Sequence, residues 1–343
     1  MADTNNITAR KILVTGGAGY VGSALVPRLL EAGHTVTVLD LFLYGHDVFD
    51  AVKDNPRLIQ VVGDLRHEAV VEKAMAHCDS VIHLACISND PSYELDPDLG
   101  RSINYDAFRP LVKAAKRAGV ERFIYASSSS VYGVKDEPDV TEDLTPEPLT
   151  DYSKFKALCE DILEEEREPG FTTVTLRPST VCGWAPRQRL DVIVNILTNH
   201  AVNNRRIKVF GGDQLRPNIH ISDMCSAYEL VLGLPAEKID GKVYNVGYDN
   251  FTVNELAETV RRIVSSDNVY GGEIDVVVEP TDDNRSYKVS SEKIARELGY
   301  RPEKTVEDAV RDLLAAFKDG RLKDTMSDER YYNIKTMQQT KMR

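Results

Sequence analysis

Short apolar runs alternate with longer amphipathic stretches through the first half of the chain. Residues 11–15 (KILVT) read as a buried strand, residues 20–32 place apolar side chains at helical spacing, and residues 35–39 (TVTVL) read as a second strand. Further strands are predicted at residues 58–62, 80–84, 122–126 and 172–176, with helices between most of them. Neighbouring parallel strands need a long connection, which a helix supplies. The pattern therefore predicts an α/β fold with a doubly wound parallel sheet.

The pattern changes near residue 178. Residues 183–217 are irregular and interrupted by Gly and Pro, and two helical patterns then follow at 253–263 and 305–317, among short strands at 242–246 and 274–278. No flexible linker separates the two halves. We therefore expect a first domain over residues 1–178 and a smaller α/β lobe over 179–343, intergrown with it. The charged stretch 160–168 (EDILEEERE) is expected to be a solvated helix face.

Composition excludes several classes of partner. The 343 residues carry a net charge of −12, and the sequence pI is near 5.2. An acidic protein lacks the basic face that nucleic acid or an anionic membrane would need, so neither is an expected partner. The five cysteines are far apart and include no CxxC pair. The N-terminus does not read as a signal peptide, and no stretch of the sequence approaches the ~18 consecutive apolar residues of a membrane span. We expect a cytoplasmic protein with free thiols and, since the histidines show no ligand spacing, no metal.

A glycine-rich turn follows the first strand. The segment GGAGYVG, residues 16–22, leads directly into the first predicted helix. Glycine there permits a tight turn and lets the backbone and the helix N-terminus approach a pyrophosphate. Asp40, at the end of the second strand, can accept hydrogen bonds from the adenosine ribose and would repel a 2′-phosphate. These features predict a Rossmann-type domain that binds NAD rather than NADP.

Two further segments fit the same cofactor groove. The carboxylate or flanking amides of Asp64, after the third strand, can meet the adenine, or the carboxylate can cap the helix that begins near Arg66. The segment HLA, residues 83–85, ends the fourth strand with small residues over which a cofactor can lie, while His83 itself is expected to be a core histidine. The predicted cofactor contacts from these segments are Gly16, Gly19, Tyr20, Val21, Gly22, Asp40, Asp64, Leu65, Leu84 and Ala85.

The candidate catalytic groups follow the fifth strand. A serine run, SSSSVYG at residues 127–133, precedes YSKFK at residues 152–156. Tyr152 and Lys156 share one helical face, so the ammonium can favour the phenolate form of Tyr152, which can remove a hydroxyl proton while hydride leaves the same carbon. The same Tyr-to-Lys spacing at 300–304 is broken by Pro302, and at 331–335 it has no serine run upstream. Only the first pair is therefore a catalytic candidate, and both of its residues are also predicted to contact NAD.

These segments, in this order, resemble the extended short-chain dehydrogenases/reductases, and within them the NAD-dependent nucleotide-sugar epimerase/dehydratase family. The resemblance continues through LRP (176–178), GG (211–212), RPNIHISD (216–223) and LGYRP (298–302), and so covers nearly the whole chain. It implies that Ser128, four residues before the Tyr of VYG, acts with Tyr152 and Lys156, and that Asn104 contacts the cofactor. It also implies a homodimer through helices at 98–118 and 151–166.

The resemblance further bears on the substrate, a nucleoside-diphosphate sugar. Family members that are 4,6-dehydratases resemble T-D-E-V-Y-G at the serine run, whereas this chain has Ser129 and Ser130, which cannot readily supply acid and base for water elimination. The chain also departs from the family at residues 104–108, 177–183 and 216–220, which leaves the identity of the sugar open. Arginine suits a diphosphate, although any one arginine can instead form a surface ion pair. The expected substrate contacts are Ser129, Ser130, Thr180, Arg187, Arg189, Arg216 and Arg285.

The function predicted from the sequence is that of an NAD-dependent nucleotide-sugar epimerase, which oxidises a ring carbon, C4 being the first choice, and then reduces the keto sugar again. The alternative is an NAD-dependent 4-dehydrogenase that releases the keto sugar. A 4,6-dehydratase, a reductase of a non-sugar carbonyl and a non-catalytic NAD-binding sensor rank behind these two.

Overall fold

A seven-stranded parallel sheet forms the centre of the molecule. The computed structural model describes residues 9–340, apart from 89, 136, 282–285 and 287. Its strands are β1 (Lys11–Thr15), β2 (Thr35–Asp40), β3 (Leu58–Val62), β4 (Ser80–His83), β5 (Arg122–Ala126), β6 (Thr172–Pro178) and β10 (Lys242–Val246). The sheet order is β10-β6-β5-β4-β1-β2-β3, and Val14 at its centre pairs with Val38 on one side and Ile82 on the other.

Helices cover both faces of this sheet. The apolar strands alternate between two buried clusters, so that Ile12 and Val14 face one helical layer and Leu13 faces the other. The first layer contains α1 (Tyr20–Glu31) and α8 (Ile221–Gly233), and the second contains α2 (Glu68–Met75), α5 (Phe108–Arg117) and α6 (Asp151–Glu165). Burial on both faces explains why these strands are continuous apolar runs. The doubly wound α/β prediction is confirmed.

The second lobe packs around a separate apolar cluster. Its core lies between β8 (Arg206–Phe210) and the helices α7 (Ile193–Asn204), α10 (Val253–Ser265) and α12 (Val306–Lys318). Three strands, β7 (Thr180–Cys182), β9 (Leu215–His220) and β11 (Asp249–Thr252), form one small sheet, and β12 (Asp275–Glu279) pairs with β8. The remaining helices are α3 (Asp90–Tyr93), α4 (Pro97–Arg101), α9 (Ala236–Ile239), α11 (Glu292–Leu298) and α13 (Asn333–Thr340).

The two lobes share elements. β10 lies beyond residue 178 in the sequence, yet it pairs with β6 at the edge of the central sheet. α8 likewise follows residue 178 and packs against α1. Both elements therefore complete the sheet layer rather than the second lobe. None of the helices in the described part of the chain combines the length and apolar character that crossing a membrane requires.

Candidate active site

A cavity of about 580 Å³ lies at the carboxyl ends of the central strands, against the second lobe. The strand order reverses between β1 and its neighbours β2 and β4, which is where ligands bind in open α/β sheets. Of the predicted site residues that the structure describes, all but Asn104 line this cavity. Arg285 lies outside the described residues. The sequence thus identified side chains that the fold brings to one place from positions 16 to 216.

The glycine turn has no room for larger residues. Gly16 has a φ of +71°, and a Cβ there would lie 2.6 Å from the backbone of Ala85. A Cβ on Gly22 would lie 2.5 Å from the Gly17 backbone. The N-terminus of α1 has no capping side chain, so its amides and positive dipole end are left for an anionic group. This turn fits the pyrophosphate of a dinucleotide.

Asp40 is held beside that turn by two backbone amides. Its carboxylate accepts hydrogen bonds from the amides of Ala18 (2.9 Å) and Phe42 (2.8 Å). Burial raises the pKa of the carboxyl above its usual range, and the amides only partly offset this. The side chain is therefore fixed at the end of β2, where an adenosine ribose would lie.

Asp64 has a different environment on the same wall. Burial acts to raise its pKa, but the hydrogen bonds from Arg66 outweigh this and leave the pKa below its usual range. The closest approach of the ion pair is 2.6 Å. α2 begins only at Glu68, so the carboxylate pairs with Arg66 instead of capping that helix directly.

Two residues near the end of β4 are structural supports. The side chain of Asn104 accepts from the amide of Ile87 (2.8 Å) and donates to its carbonyl (3.0 Å), so it fixes the loop that lines the cavity without lining it. His83 is buried, and one ring nitrogen lies 2.7 Å from the hydroxyl of Thr15. Burial, with a smaller contribution from Lys156, lowers the pKa of His83 to about 3, so the ring is neutral.

Ser128, Tyr152 and Lys156 meet where β5 ends. α6 begins one residue before Tyr152, behind a capping box formed by Thr150 and Ser153. The ammonium of Lys156 is buried, donates to the carbonyl of Ala126 (2.6 Å) and lies 5.9 Å from the ring centroid of Tyr152. Helix capping and this hydrogen bond fix the Lys156 side chain on the cavity side of α6, and Tyr152 lines the same cavity.

The serine run forms a short 3₁₀ turn, Ser129–Tyr132, directly after β5. The hydroxyl of Ser128 accepts from the amide of Ser130 (3.1 Å) and lies 2.9 Å from its hydroxyl. Ser129 is buried, and all three serines line the cavity. The turn therefore presents adjacent hydroxyl groups to the cavity that Tyr152 also lines.

A buried ion pair supports this turn from behind, and the sequence reasoning was wrong about one of its members. Glu160, expected on a solvated helix face, has a side chain that is only 10% exposed and pairs with Arg177 at 2.6 Å. Glu160 also accepts from the hydroxyl of Ser127, and Arg177 donates to the hydroxyl of Tyr132 (2.7 Å). The i, i+4 spacing from Tyr152 through Lys156 to Glu160 placed all three on one face and was the signal for this burial.

Three of the predicted arginines reach the cavity. Arg187 is buried, its backbone amide donates to the hydroxyl of Ser23 in α1 (3.1 Å), and its guanidinium lies 3.6 Å from the ring centroid of Tyr44. Arg189 pairs with Asp191 at 2.7 Å. Arg216, on β9, donates to the carbonyl next to it along the chain. The backbone of Arg187 is thus tied to the first turn of α1, directly after the glycine turn.

Several lining residues had no local signal in the sequence. Tyr44 follows β2, Asp191 precedes α7, and Asn333 and Met337 come from α13. They meet the cavity only through long-range packing, which no short motif specifies.

The chain has relatives of known function with similar architecture. A model of the NAD dependent epimerase/dehydratase family matches residues 12–247. A dTDP-glucose 4,6-dehydratase of Streptomyces antibioticus is 28% identical over 321 residues, covering 90% of this chain and 93% of that protein. A UDP-glucose 4-epimerase of Corynebacterium glutamicum is 29% identical over 326 residues, covering 87% of this chain and 94% of that protein.

The similarity extends to solved structures. The structure of MoeE5 in complex with UDP-glucuronic acid and NAD matches with a TM-score of 0.78 at 25% identity, over 90% of this chain and 99% of that one. The predictions of fold, family and cofactor are therefore confirmed. The chain belongs to the NAD-dependent epimerase/dehydratase family of extended short-chain dehydrogenases/reductases, and its cofactor is NAD.

Proposed function

We propose that this protein is a nucleotide-sugar 4-epimerase. Its family relatives make it an NAD-dependent nucleotide-sugar epimerase or dehydratase, and the finer choice rests on the side chains beside Tyr152. Water elimination needs an acid and a base in addition to the tyrosine. Epimerisation needs only reversible oxidation at one carbon, with the keto sugar turning over between the two hydride transfers.

The hydroxyl-lined turn after β5 is the observation that supports epimerisation most directly. Ser129 and Ser130 stand where the dehydratase pattern has Asp and Glu. The carboxylates that line the described cavity are Asp40, Asp64 and Asp191. Asp40 accepts hydrogen bonds from backbone amides, and Asp64 and Asp191 each form an ion pair with an arginine. The described lining therefore has no carboxylate set aside for elimination.

The roles of the chain's own groups follow from their contacts. NAD, held by the glycine turn and Asp40, would supply the reversible hydride acceptor for the sugar carbon. Tyr152 takes the proton of the C4 hydroxyl and later gives it back, with the ammonium of Lys156 favouring the phenolate. Ser128, fixed by the amide of Ser130, donates its hydroxyl hydrogen to the reacting oxygen. Arg216, Arg189 and Thr180 line the same cavity, and we assign the two arginines to the diphosphate of the sugar nucleotide and Thr180 to its sugar.

A product analysis tests this proposal. The full-length protein would be incubated with UDP-, GDP- and dTDP-linked hexoses, and the products would be resolved by mass and by NMR. An epimerase gives a product of unchanged mass with inverted configuration at C4. Loss of water would identify a dehydratase and loss of two hydrogens a dehydrogenase, and either result as the main product would overturn the proposal.

The assembly state is a further part of the proposal. Family resemblance predicts a homodimer through helices at 98–118 and 151–166; the first range is divided into α4, a π-helical turn at Ser102–Asp106 and α5, and the second is α6, which packs against α5. Light scattering after gel filtration should therefore give twice the chain mass of 38.3 kDa. A mass equal to one chain would contradict this prediction.

A further inference from the structure

The segment of residues 325–340 lies beside the cavity, and its residues Asn333 and Met337 form part of the cavity wall. The carbonyl of Tyr331 accepts from the amide of Leu190 (2.9 Å), and the hydroxyl of Tyr332 accepts from the side chain of Asn199 (3.0 Å). Further along, Met337 and Tyr152 both pack against one small apolar cluster, and both line the cavity. These contacts hold the segment against the cavity that contains the candidate catalytic groups.

Asn333, the first residue of α13, makes three different contacts from this wall. Its backbone amide donates to Asp191 (2.9 Å), its side-chain nitrogen donates to the hydroxyl of Ser88 (2.9 Å), and its side-chain oxygen accepts from the guanidinium of Arg187. The residue is only 4% exposed. A side-chain amide is needed for this arrangement, because it offers a donor and an acceptor at once without carrying charge.

Arg187 is the contact that points to a ligand. The guanidinium is buried beside Tyr44, and no carboxylate of the described chain forms an ion pair with it. Its Nε is also buried and has no hydrogen-bond partner among the described residues. Burial of a cation without a counter-charge is costly, and here it lowers the pKa of Arg187. An anion bound in the cavity would supply both the missing charge and the missing acceptor.

We propose that Asn333 is a positioning residue for phosphate recognition. It holds the guanidinium of Arg187 directly, and through Asp191 it helps to hold that of Arg189, so that both face the phosphates of a bound nucleotide. The inference rests on the proposed function, which brings two diphosphates into the cavity, one in NAD and one in the sugar nucleotide. A neutral amide is essential here, because a carboxylate at position 333 would itself neutralise Arg187.

Binding measurements on three variants of the full chain test this role. Asn333→Ala removes the acceptor, Asn333→Asp keeps the size but adds a charge, and Thr336→Val is the control. Thr336 lies on the same helix and is equally buried, and among the described residues its hydroxyl bonds within the segment, to the carbonyl of Glu329. Loss of a charge-assisted hydrogen bond should weaken phosphate-bearing ligands about tenfold in Asn333→Ala. We expect a larger loss in Asn333→Asp and a change within about twofold in Thr336→Val.

The ligands used distinguish the two sources of phosphate. NAD is titrated into cofactor-free protein by calorimetry, and UDP, GDP and dTDP are titrated into the NAD-loaded protein. Weakening confined to NAD assigns the contact to the cofactor's pyrophosphate, and weakening confined to the nucleoside diphosphates assigns it to the substrate's. Adenosine and uridine, which lack phosphates, should bind all variants alike. No turnover is needed, so a failure of the epimerase proposal would be seen in the product analysis and not in these titrations.

A double variant separates positioning from general support. In an Arg187→Lys background, Asn333→Ala should add less than twofold, because the group that it positions is gone. Any of four results would overturn the proposal. The losses of affinity could add in the double variant, or Thr336→Val could lose as much affinity as Asn333→Ala. The variants could bind adenosine or uridine more weakly, or a folded Asn333→Ala protein could bind the phosphate-bearing ligands unchanged. Circular dichroism establishes that each variant is folded, and Asn333→Asp supplies the test if Asn333→Ala is not.

Discussion

Replacement of Glu160 by Gln removes a charge from the ion pair behind the catalytic turn while keeping the shape of the side chain. The Arg177 guanidinium is 5% exposed, so it would be left buried beside a neutral acceptor. Breaking a buried ion pair in this way costs about 3–5 kcal/mol, and since Gln still accepts one hydrogen bond we expect about 3 kcal/mol. Glu160 also accepts from Ser127, next to Ser128, so kcat should fall as well.

The matched control is Glu164→Gln, one turn later on the same helix. Glu164 is 64% exposed and pairs with Arg167, and exposed pairs of this kind contribute about 0–1 kcal/mol. Urea unfolding of both variants and the parent protein, followed by circular dichroism, gives the two differences in unfolding free energy. If the two variants lose the same amount, the ion pair does not have the structural role assigned to it. An unchanged kcat in Glu160→Gln would show that the pair does not position the serine turn.

Three further predictions concern the cofactor, the tyrosine and pH. Tyr152→Phe should lower kcat about 10³-fold, with NAD still recovered from the purified protein by chromatography, and turnover like that of the parent protein would refute the assignment. Gly22→Ala should weaken NAD at least about tenfold, because its Cβ would collide with the glycine turn, whereas Gly233→Ala, whose Cβ meets nothing within 4 Å, should not. His83 has a pKa lowered from 6.5 to about 3, so it stabilises the fold above pH 6.5, and that stability is lost as the pH falls from 6.5 towards 3. We expect urea titrations of the parent protein to show a loss of about 2 kcal/mol in the free energy of unfolding between pH 7 and pH 5. The control His77→Asn, which replaces an exposed histidine, should show the same loss, and His83→Asn should not.

Local patterns identified most of the sheet and of the cofactor half of the site. The apolar runs predicted the strands to within two residues; β2, for example, was expected at 35–39 and is Thr35–Asp40. The glycine turn was recognisable because its physical demand, close backbone approach, is met by neighbouring residues in sequence. The same holds for Tyr152 and Lys156, which are one helical turn apart.

The rest of the site depends on contacts between distant parts of the chain. Arg187 was predicted to contact the substrate, but nothing near it in sequence indicated that its backbone bonds to Ser23 of α1. Asn333 contacts residues 142 to 245 positions away. Neither periodicity nor spacing encodes such distances. Glu160 is different, since its helical register with Lys156 indicated burial, and the high local charge outweighed that signal in the sequence reasoning.

β10 and α8 follow residue 178 in the sequence but belong to the layer of the central sheet. This limits how the substrate-binding half of the chain can be replaced by that of a relative. A chimera joined at residue 178 would bring in foreign versions of both elements, and each would have to fit β6 and α1 of the host. α8 contributes Met224, Tyr228 and Val231 to the core of the host layer, where a misfit is costly. Recombination by single crossover is therefore disfavoured at this junction. New substrate preferences are more readily acquired by point changes in the loops that line the cavity.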